Sequence, residues 1–364
     1  MDIEEQGGQL PQELIDNIVD LLSSSPTDWR TCALVSGSWV NAAQAHIFRE
    51  VAFHSEPRRS NERLWSRFHE TLLASPHLIR HVRHLAVDPH MLSIDTFIVV
   101  CNFPFTHLNG LIIKNIILSR RTAIALQQLL SLPTFDLVDL GCQFTQPSDV
   151  LAIWEHGSPS IKHVALLYTK TSDDPILPAR PRNNTSPVQL ESLNIVHMGP
   201  EPTKNWLIHA LSPFDLSRLK ALSSNCHAEI LHWARLAPSL RTIDALEFSP
   251  RTMPPMIDLA LLPSLTVLRI SSFEAGASPI AIQTLSTLAP SSQIRRIVLA
   301  GLVVSENDRF WTKLDSIVAD LQMDPTPIVE LEIHPIHANL ILPHLSRLRA
   351  RKIVNLYSNI FSVP

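Results

Sequence analysis

Histidine is the residue type in excess: seventeen occur among 364 residues, beside four cysteines. His81 and His84 are three apart, as are His334 and His337. On a helix that spacing could offer two imidazoles to one metal ion. Both pairs fall in or beside segments that read as strands, and neither has a nearby cysteine or carboxylate pair to complete a site. Half-buried or surface histidines are therefore the expectation. Asp173-Asp174 reads as a solvated turn, and Arg58-Arg59, Arg295-Arg296 and Arg349/Arg351/Lys352 as short basic spots on solvated faces. Nine glycines and no glycine-rich phosphate loop disfavour a nucleotide cradle. No G-x-S-x-G elbow offers a hydrolase serine. The chain is expected to carry no catalytic site, metal or cofactor.

Composition narrows the classes further. Apolar residues make up 45% of the chain, enough for a globular body rather than disorder. A formal net charge of −4 argues against bulk attraction to nucleic acid or to an anionic membrane. No apolar run approaches the length of a membrane span. Cys32, Cys101, Cys142 and Cys226 are far apart and read as free thiols in a reducing compartment. The opening MDIEEQGGQ is acidic and polar, unlike a signal or transit peptide, so an intracellular setting, cytoplasmic or nuclear, is expected. Asn183-Asn184-Thr185-Ser186 carries two overlapping glycosylation patterns that then read as incidental.

Most of the chain repeats one short pattern: apolar, two residues, apolar, one residue, apolar. It occurs at Val82-x-x-Leu85-x-Val87, Leu108-x-x-Leu111-x-Ile113, Phe135-x-x-Val138-x-Leu140, Ile161-x-x-Val164-x-Leu166 and Leu190-x-x-Leu193-x-Ile195. Leu219-x-x-Leu222 is a weaker copy, because Ser224 takes the last apolar place. The series continues at Leu240-x-x-Ile243-x-Ala245, Leu265-x-x-Leu268-x-Ile270, Ile294-x-x-Ile297-x-Leu299 and Ile328-x-x-Leu331-x-Ile333, and a strand over 353–357 closes it. Each copy reads as a short strand with alternate side chains turned in. Helical stretches lie between copies, over residues 120–132, 148–156, 203–211, 228–237, 278–288 and 306–321. Several run into proline, as at Leu132-Pro133 and Ala237-Pro238, where the chain turns back. Strand–helix units that cannot bury a face alone must stack, and the spacing is close to that of leucine-rich repeats. Most copies lack an asparagine ladder, although Asn115 and Asn225 stand near that place, so the repeats are degenerate. An ordinary α/β domain with strands of similar length is the alternative. Residues 170–187 interrupt the series with a Pro-, Asn- and charge-rich loop.

Ahead of the repeats stands a compact run of three helices. Pro11 suits a first helical position and Glu13 suits the first turn. Leu14, Ile18, Leu21 and Leu22 recur on one helical face. Ser23-Ser24-Ser25-Pro26 breaks that helix, and a second over about 27–35 is expected to bury Trp29, Cys32 and Leu34. After Ser36-Gly37-Ser38 a third carries Trp39, Val40, Ala43, Ile47 and Phe48. A further helix spans 61–74, with Leu64, Trp65, Phe68, Leu72 and Leu73 at helical spacing. Three helices this short share only a small core and leave apolar surface for a partner to cover. The other reading of Leu14, Ile18 and Leu34 is plain bundle core.

Leu10-Pro11-x-Glu13-Leu14-x-x-x-Ile18, then Cys32-Ala33-Leu34-Val35-Ser36-x-x-Trp39, then Ile47-Phe48-Arg49, resembles an F-box domain, and the last two pieces resemble its fungal members. The resemblance implies an α/β chain with a small three-helix F-box ahead of an irregular leucine-rich-repeat solenoid, whose strands form a curved parallel sheet. Its parts would be a disordered tail over 1–9, the F-box over 10–54, a linking helix over 55–80 and the repeats over 81–364. It implies docking on a Skp-type adaptor, and through it on a cullin–RING ubiquitin ligase, by Leu10, Pro11, Leu14, Ile18, Leu34, Val35 and Trp39. The serine-rich link between the first two helices departs from the family pattern.

In the repeats, residues between the apolar positions would face the concave side. That places His84, Lys114, Asp139, His163, Tyr168, Asn194, Asp244, Arg269, Arg296 and Glu332 along one sheet face, as a surface to hold a substrate protein. The expected function is substrate recognition for such a ligase. A scaffold that carries an F-box outside any ligase is the alternative.

Overall fold

The computed structural model describes residues 10–22, 25–53, 61–88, 94–144, 153–154, 156–170, 187–197, 214–224, 241–248, 257–271, 278–289, 291–300, 308–320, 327–332, 341–352 and 354–357. The chain is mixed α/β, with short strands in parallel ladders separated by helices. It divides into two compact units, Met1–Cys142 with Ala152–Ser160, and Gln143–Leu151 with Ile161–Pro364.

The first unit opens with α1 (Gln12–Leu21), α2 (Pro26–Val35) and α3 (Gly37–Ile47). Pro11 is the N-cap of α1 rather than its first helical residue, and its carbonyl accepts the Leu14 and Ile15 N–H groups at 3.0 and 3.2 Å. Ser25 caps α2 by accepting the Asp28 N–H at 3.4 Å, with Pro26 at the first helical position. Ser36 is extended (φ −163°, ψ 165°), which stops α2 and starts α3. The helical reading of residues 10–54 ends early. Glu50–Phe53 is a strand, β1, and it places buried Phe53 against the Trp65 ring at 3.8 Å. Trp65 belongs to α4 (Asn61–Ala74), which matches the expected span.

The unit continues with β2 (His84–Val87), α5 (Ile94–Cys101), β3 (Gly110–Leu118), α6 (Arg120–Leu130) and β4 (Leu137–Phe144), which begins in it. Strand order follows the sequence, β1-β2-β3-β4. Registers Leu85↔Val51 and Leu85↔Leu111 align the apolar positions.

The second unit contains β5 (His163–Lys170), β6 (Val188–Gln189), β7 (Ser192–His197), β8 (Phe214–Asp215), β9 (Ala221–Ser224), β10 (Ala245–Phe248), β11 (Val267–Ser271), β12 (Arg296–Ala300), β13 (Ile328–Glu332) and β14 (Val354–Tyr357). Its main order is β5-β7-β9-β10-β11-β12-β13-β14, while β6 and β8 pair separately. Parallel neighbours need a crossover, and helices Ser278–Leu285 and Asp308–Asp320 supply two of them. The expected helices over 203–211 and 228–237, most of the loop over 170–187, and the pairs Asp173-Asp174 and His334/His337 lie outside the described residues.

Two repeat frames need correction. The seventh copy is Ile243-x-x-Leu246-x-Phe248, not Leu240-x-x-Ile243-x-Ala245: Leu246 pairs with Leu222 and Leu268, and Leu246 and Phe248 are buried. In β13 the inward residues are Val329 and Leu331, paired with Ile297 and Leu299, while Ile328 is exposed. Pairing with the neighbouring strands decides both frames, because it sets the buried apolar positions level across the ladder.

Hydroxyls supply a stitch between copies. Just ahead of the first apolar residue of a copy, Thr134, Ser160 and Thr242 donate to the carbonyls of Leu108, Phe135 and Leu219, at 2.6, 2.6 and 2.9 Å. Each acceptor is the first apolar residue of a preceding copy, so side-chain oxygens join repeat to repeat where an asparagine ladder is lacking.

Candidate docking surface and strand face

The helical cassette buries one stripe and leaves a second uncovered. Ile15, Val19, Cys32, Ala42 and Ala43 form its core, with Leu22, Trp29, Ala33 and Trp39 packed against it. Along α1 and its C-cap the inward stripe is Ile15, Val19 and half-buried Leu22. Leu14, Ile18 and Leu21 form a parallel stripe one residue earlier, rotated about 100° on the helix. Leu14 is 48% exposed and Leu21 84%, while Ile18 is half-buried. On α2, Trp29, Cys32 and Ala33 turn inward, and Leu34 (86%) and Val35 (61%) turn out. The expectation that Leu34 is buried is thereby corrected. Leu10 is 49% exposed, Pro11 is exposed, and Trp39 is half-buried.

Polar contacts tie α1 to α3, and a ring stack ties α2 to α3, around so small a core. Gln12 Nε2 donates to Asp16 Oδ1 at 2.8 Å and to the Ser38 carbonyl at 3.3 Å. His46 meets Asp20 at 2.7 Å, and its ring stacks on Trp29 at 5.2 Å. Leu10, Leu14, Leu21, Leu34 and Val35 lie outside that core.

On the strand face, the sequence-derived residues divide between the units. In the first, His84 lies half-buried in β2 opposite Gly110, Lys114 is exposed in β3, and Asp139 is half-buried in β4. Burial pushes the Asp139 carboxyl above its ordinary pKa, and Lys114 pulls it partly back. In the second, His163 and Asn194 are half-buried and share a face, through registers His163↔Ser192 and Ala165↔Asn194. Tyr168 lies in β5, paired with His197. Asp244 is not on the sheet face, because the corrected frame ends β10 at Phe248 and leaves Asp244 just before the strand. Its carbonyl accepts the Thr266 and Val267 N–H groups at 2.8 and 3.0 Å.

Arg269, Arg296 and Glu332 do come together, with three residues that the sequence reading passed over. Arg269 makes two 2.6 Å bonds to the Glu332 carboxylate and one of 3.1 Å to Glu247 Oε1. Ser271 Oγ donates to the same Glu247 oxygen at 2.8 Å. Arg296 grips Glu330 through 3.0 and 2.7 Å bonds. The Glu332 hydrogen bond raises the already high pKa of Arg269, against a smaller opposing effect of burial. Two arginines face three glutamates, so this patch is an ion-paired network of slightly negative sum. Frame errors at β10 and β13 hid Glu247 and Glu330; aligning Leu246 with Leu268, and Val329 with Ile297, would have exposed both.

Among the described residues, no group of three or more His, Cys, Asp or Glu side chains is set to hold a metal ion, and no helix is long and apolar enough to cross a membrane. The chain matches no protein-family model and no curated protein.

Proposed function

We propose that the chain is a docking subunit: the uncovered face of α1 and α2 engages a Skp-type adaptor, and the strand face holds a protein target for a cullin–RING ubiquitin ligase. The observation that carries this reading is the exposure of Leu10, Leu14, Leu21, Leu34 and Val35 outside the core of the bundle. Large apolar side chains exposed on consecutive helices are costly to hydrate, and a patch of them marks an interaction site. The F-box resemblance names five of the seven expected contact positions on or beside that face as Leu10, Pro11, Leu14, Leu34 and Val35. The chain's own contribution would be proximity, raising the effective concentration of a target near the charged enzyme.

Co-purification with the adaptor tests it, comparing wild type with Leu14→Asp plus Val35→Asp. Both positions are exposed, so the variant should keep its fold by circular dichroism and lose the adaptor. Retained adaptor counts against the reading. A cullin-dependent ubiquitin-transfer assay on the wild-type complex then separates a ligase subunit from a scaffold.

A further inference from the structure

A second site candidate lies within the first unit, where the cassette meets the entrances of the first strands. A cavity of about 370 Å³ is lined by Asp20, Ala45, His46, Arg49, His81, Arg83, His84 and Asn109. The main chain fixes its floor. The Arg49 carbonyl accepts the Arg83 and His84 N–H groups, both at 2.9 Å, and the Arg83 carbonyl accepts those of Asn109 and Gly110 at 2.8 and 3.0 Å. Arg49, Arg83 and Asn109 therefore stand at equivalent places ahead of β1, β2 and β3.

The charge of this cavity is unbalanced. Its one carboxylate, Asp20, is already held by His46 at 2.7 Å. Among the described residues neither Arg49 nor Arg83 meets a carboxylate; Arg83 reaches only the His107 carbonyl, at 3.5 Å. In the second unit Arg269, Arg296 and Arg347 each pair with an acid. His81 shows the same positive surroundings: burial first, then the charges of Arg80, His77, Arg83 and His107, lower its pKa. The wall also includes Asn109, whose Oδ1 is buried with no hydrogen-bond partner. Gly110 has no side chain to obstruct the site. A Cβ there would collide with His84 Nδ1, so the glycine lets that imidazole form part of the wall.

We propose that this cavity binds a small phosphomonoester, with Arg49 and Arg83 taking the phosphoryl oxygens and Asn109 accepting a hydroxyl or N–H of the carrier. Two guanidiniums match a dianion and would be half-used by a single carboxylate. The volume lies within the range of small-molecule sites. Neither the docking face nor the strand network enters this inference, and the isolated chain suffices to test it.

The test is calorimetric titration of the full chain at constant ionic strength with inorganic phosphate, glycerol 3-phosphate and acetate. Saturable phosphate binding is expected, glycerol 3-phosphate tighter by about fivefold, and no saturable acetate binding. Arg49→Gln should weaken phosphate at least about tenfold; this side chain is exposed and ion-pairs with nothing described, so the fold is not at risk. Asn109→Ala should remove the advantage of the ester over phosphate. Absence of saturable phosphate binding, equal binding of acetate, or an unchanged affinity in Arg49→Gln overturns the proposal.

Discussion

Arg269 in β11 reaches across β12 to clasp Glu332 in β13, through two 2.6 Å bonds. The strand between presents Val298 and Ala300 at the paired positions, and these short side chains let the guanidinium pass over. The same guanidinium holds Glu247 of β10 on its other side, so one side chain ties together positions on three strands. The Arg269 head is a third exposed and Glu332 less so, which places the pair between a surface ion pair and a buried one.

Arg269→Ala should therefore destabilise the chain by about 1–2 kcal/mol, because it leaves two carboxylates facing each other. Arg269→Ala with Glu332→Ala should cost less than the sum of the single changes, by about 1 kcal/mol. Urea unfolding of the four proteins measures this coupling; strict additivity would show that the clasp contributes nothing.

The hydroxyl stitches predict a second pattern. Thr134→Val and Thr242→Val keep the side-chain volume but remove the donor to the Leu108 and Leu219 carbonyls. Each change should cost about 1 kcal/mol, with the midpoint shifted and the denaturant slope unchanged.

Gly110 predicts a steric effect. Gly110→Ala puts a methyl against the His84 ring and should destabilise by about 1–3 kcal/mol. His84→Ala should relieve most of that cost in the double variant, as measured by thermal unfolding.

Cys101 predicts a pH dependence. Burial pushes its thiol up to about 12 from an ordinary value of 9.0. The folded state thus disfavours the thiolate, so the contribution is complete below pH 9 and is lost as pH rises toward 12. Native chain at pH 8 should leave Cys101 unlabelled by a maleimide, and urea should expose it. Rapid labelling of Cys101 in the native chain would contradict its burial.

The periodic parts of this fold were legible in the sequence. Parallel strands follow the Leu85, Leu111, Leu193, Leu268 and Ile297 positions because one buried face forces their register. Helix 61–74 was legible to the residue, since its apolar spacing has clear ends. Periodicity could not choose between Leu14/Ile18/Leu21 and Ile15/Val19/Leu22, because both stripes satisfy helical spacing and only packing against α3 decides. At β10, Ile243 fits either of two frames, and burial of Phe248 selects the one that puts Glu247 on the face. β1 was hidden because four residues with a single buried position carry almost no pattern. The cavity residues Arg49, Arg83 and Asn109 lie far apart in sequence, and only strand register brings them level.

The most direct test of the docking function is the dissociation constant for a Skp-type adaptor, measured for wild type and for Leu34→Asp. Leu34 is 86% exposed, so its replacement should leave thermal stability unchanged. Docking through this face predicts adaptor binding by the wild type and weakening of at least about tenfold in the variant. A wild-type chain that does not bind the adaptor, or a Leu34→Asp variant that binds it equally well, would contradict that function.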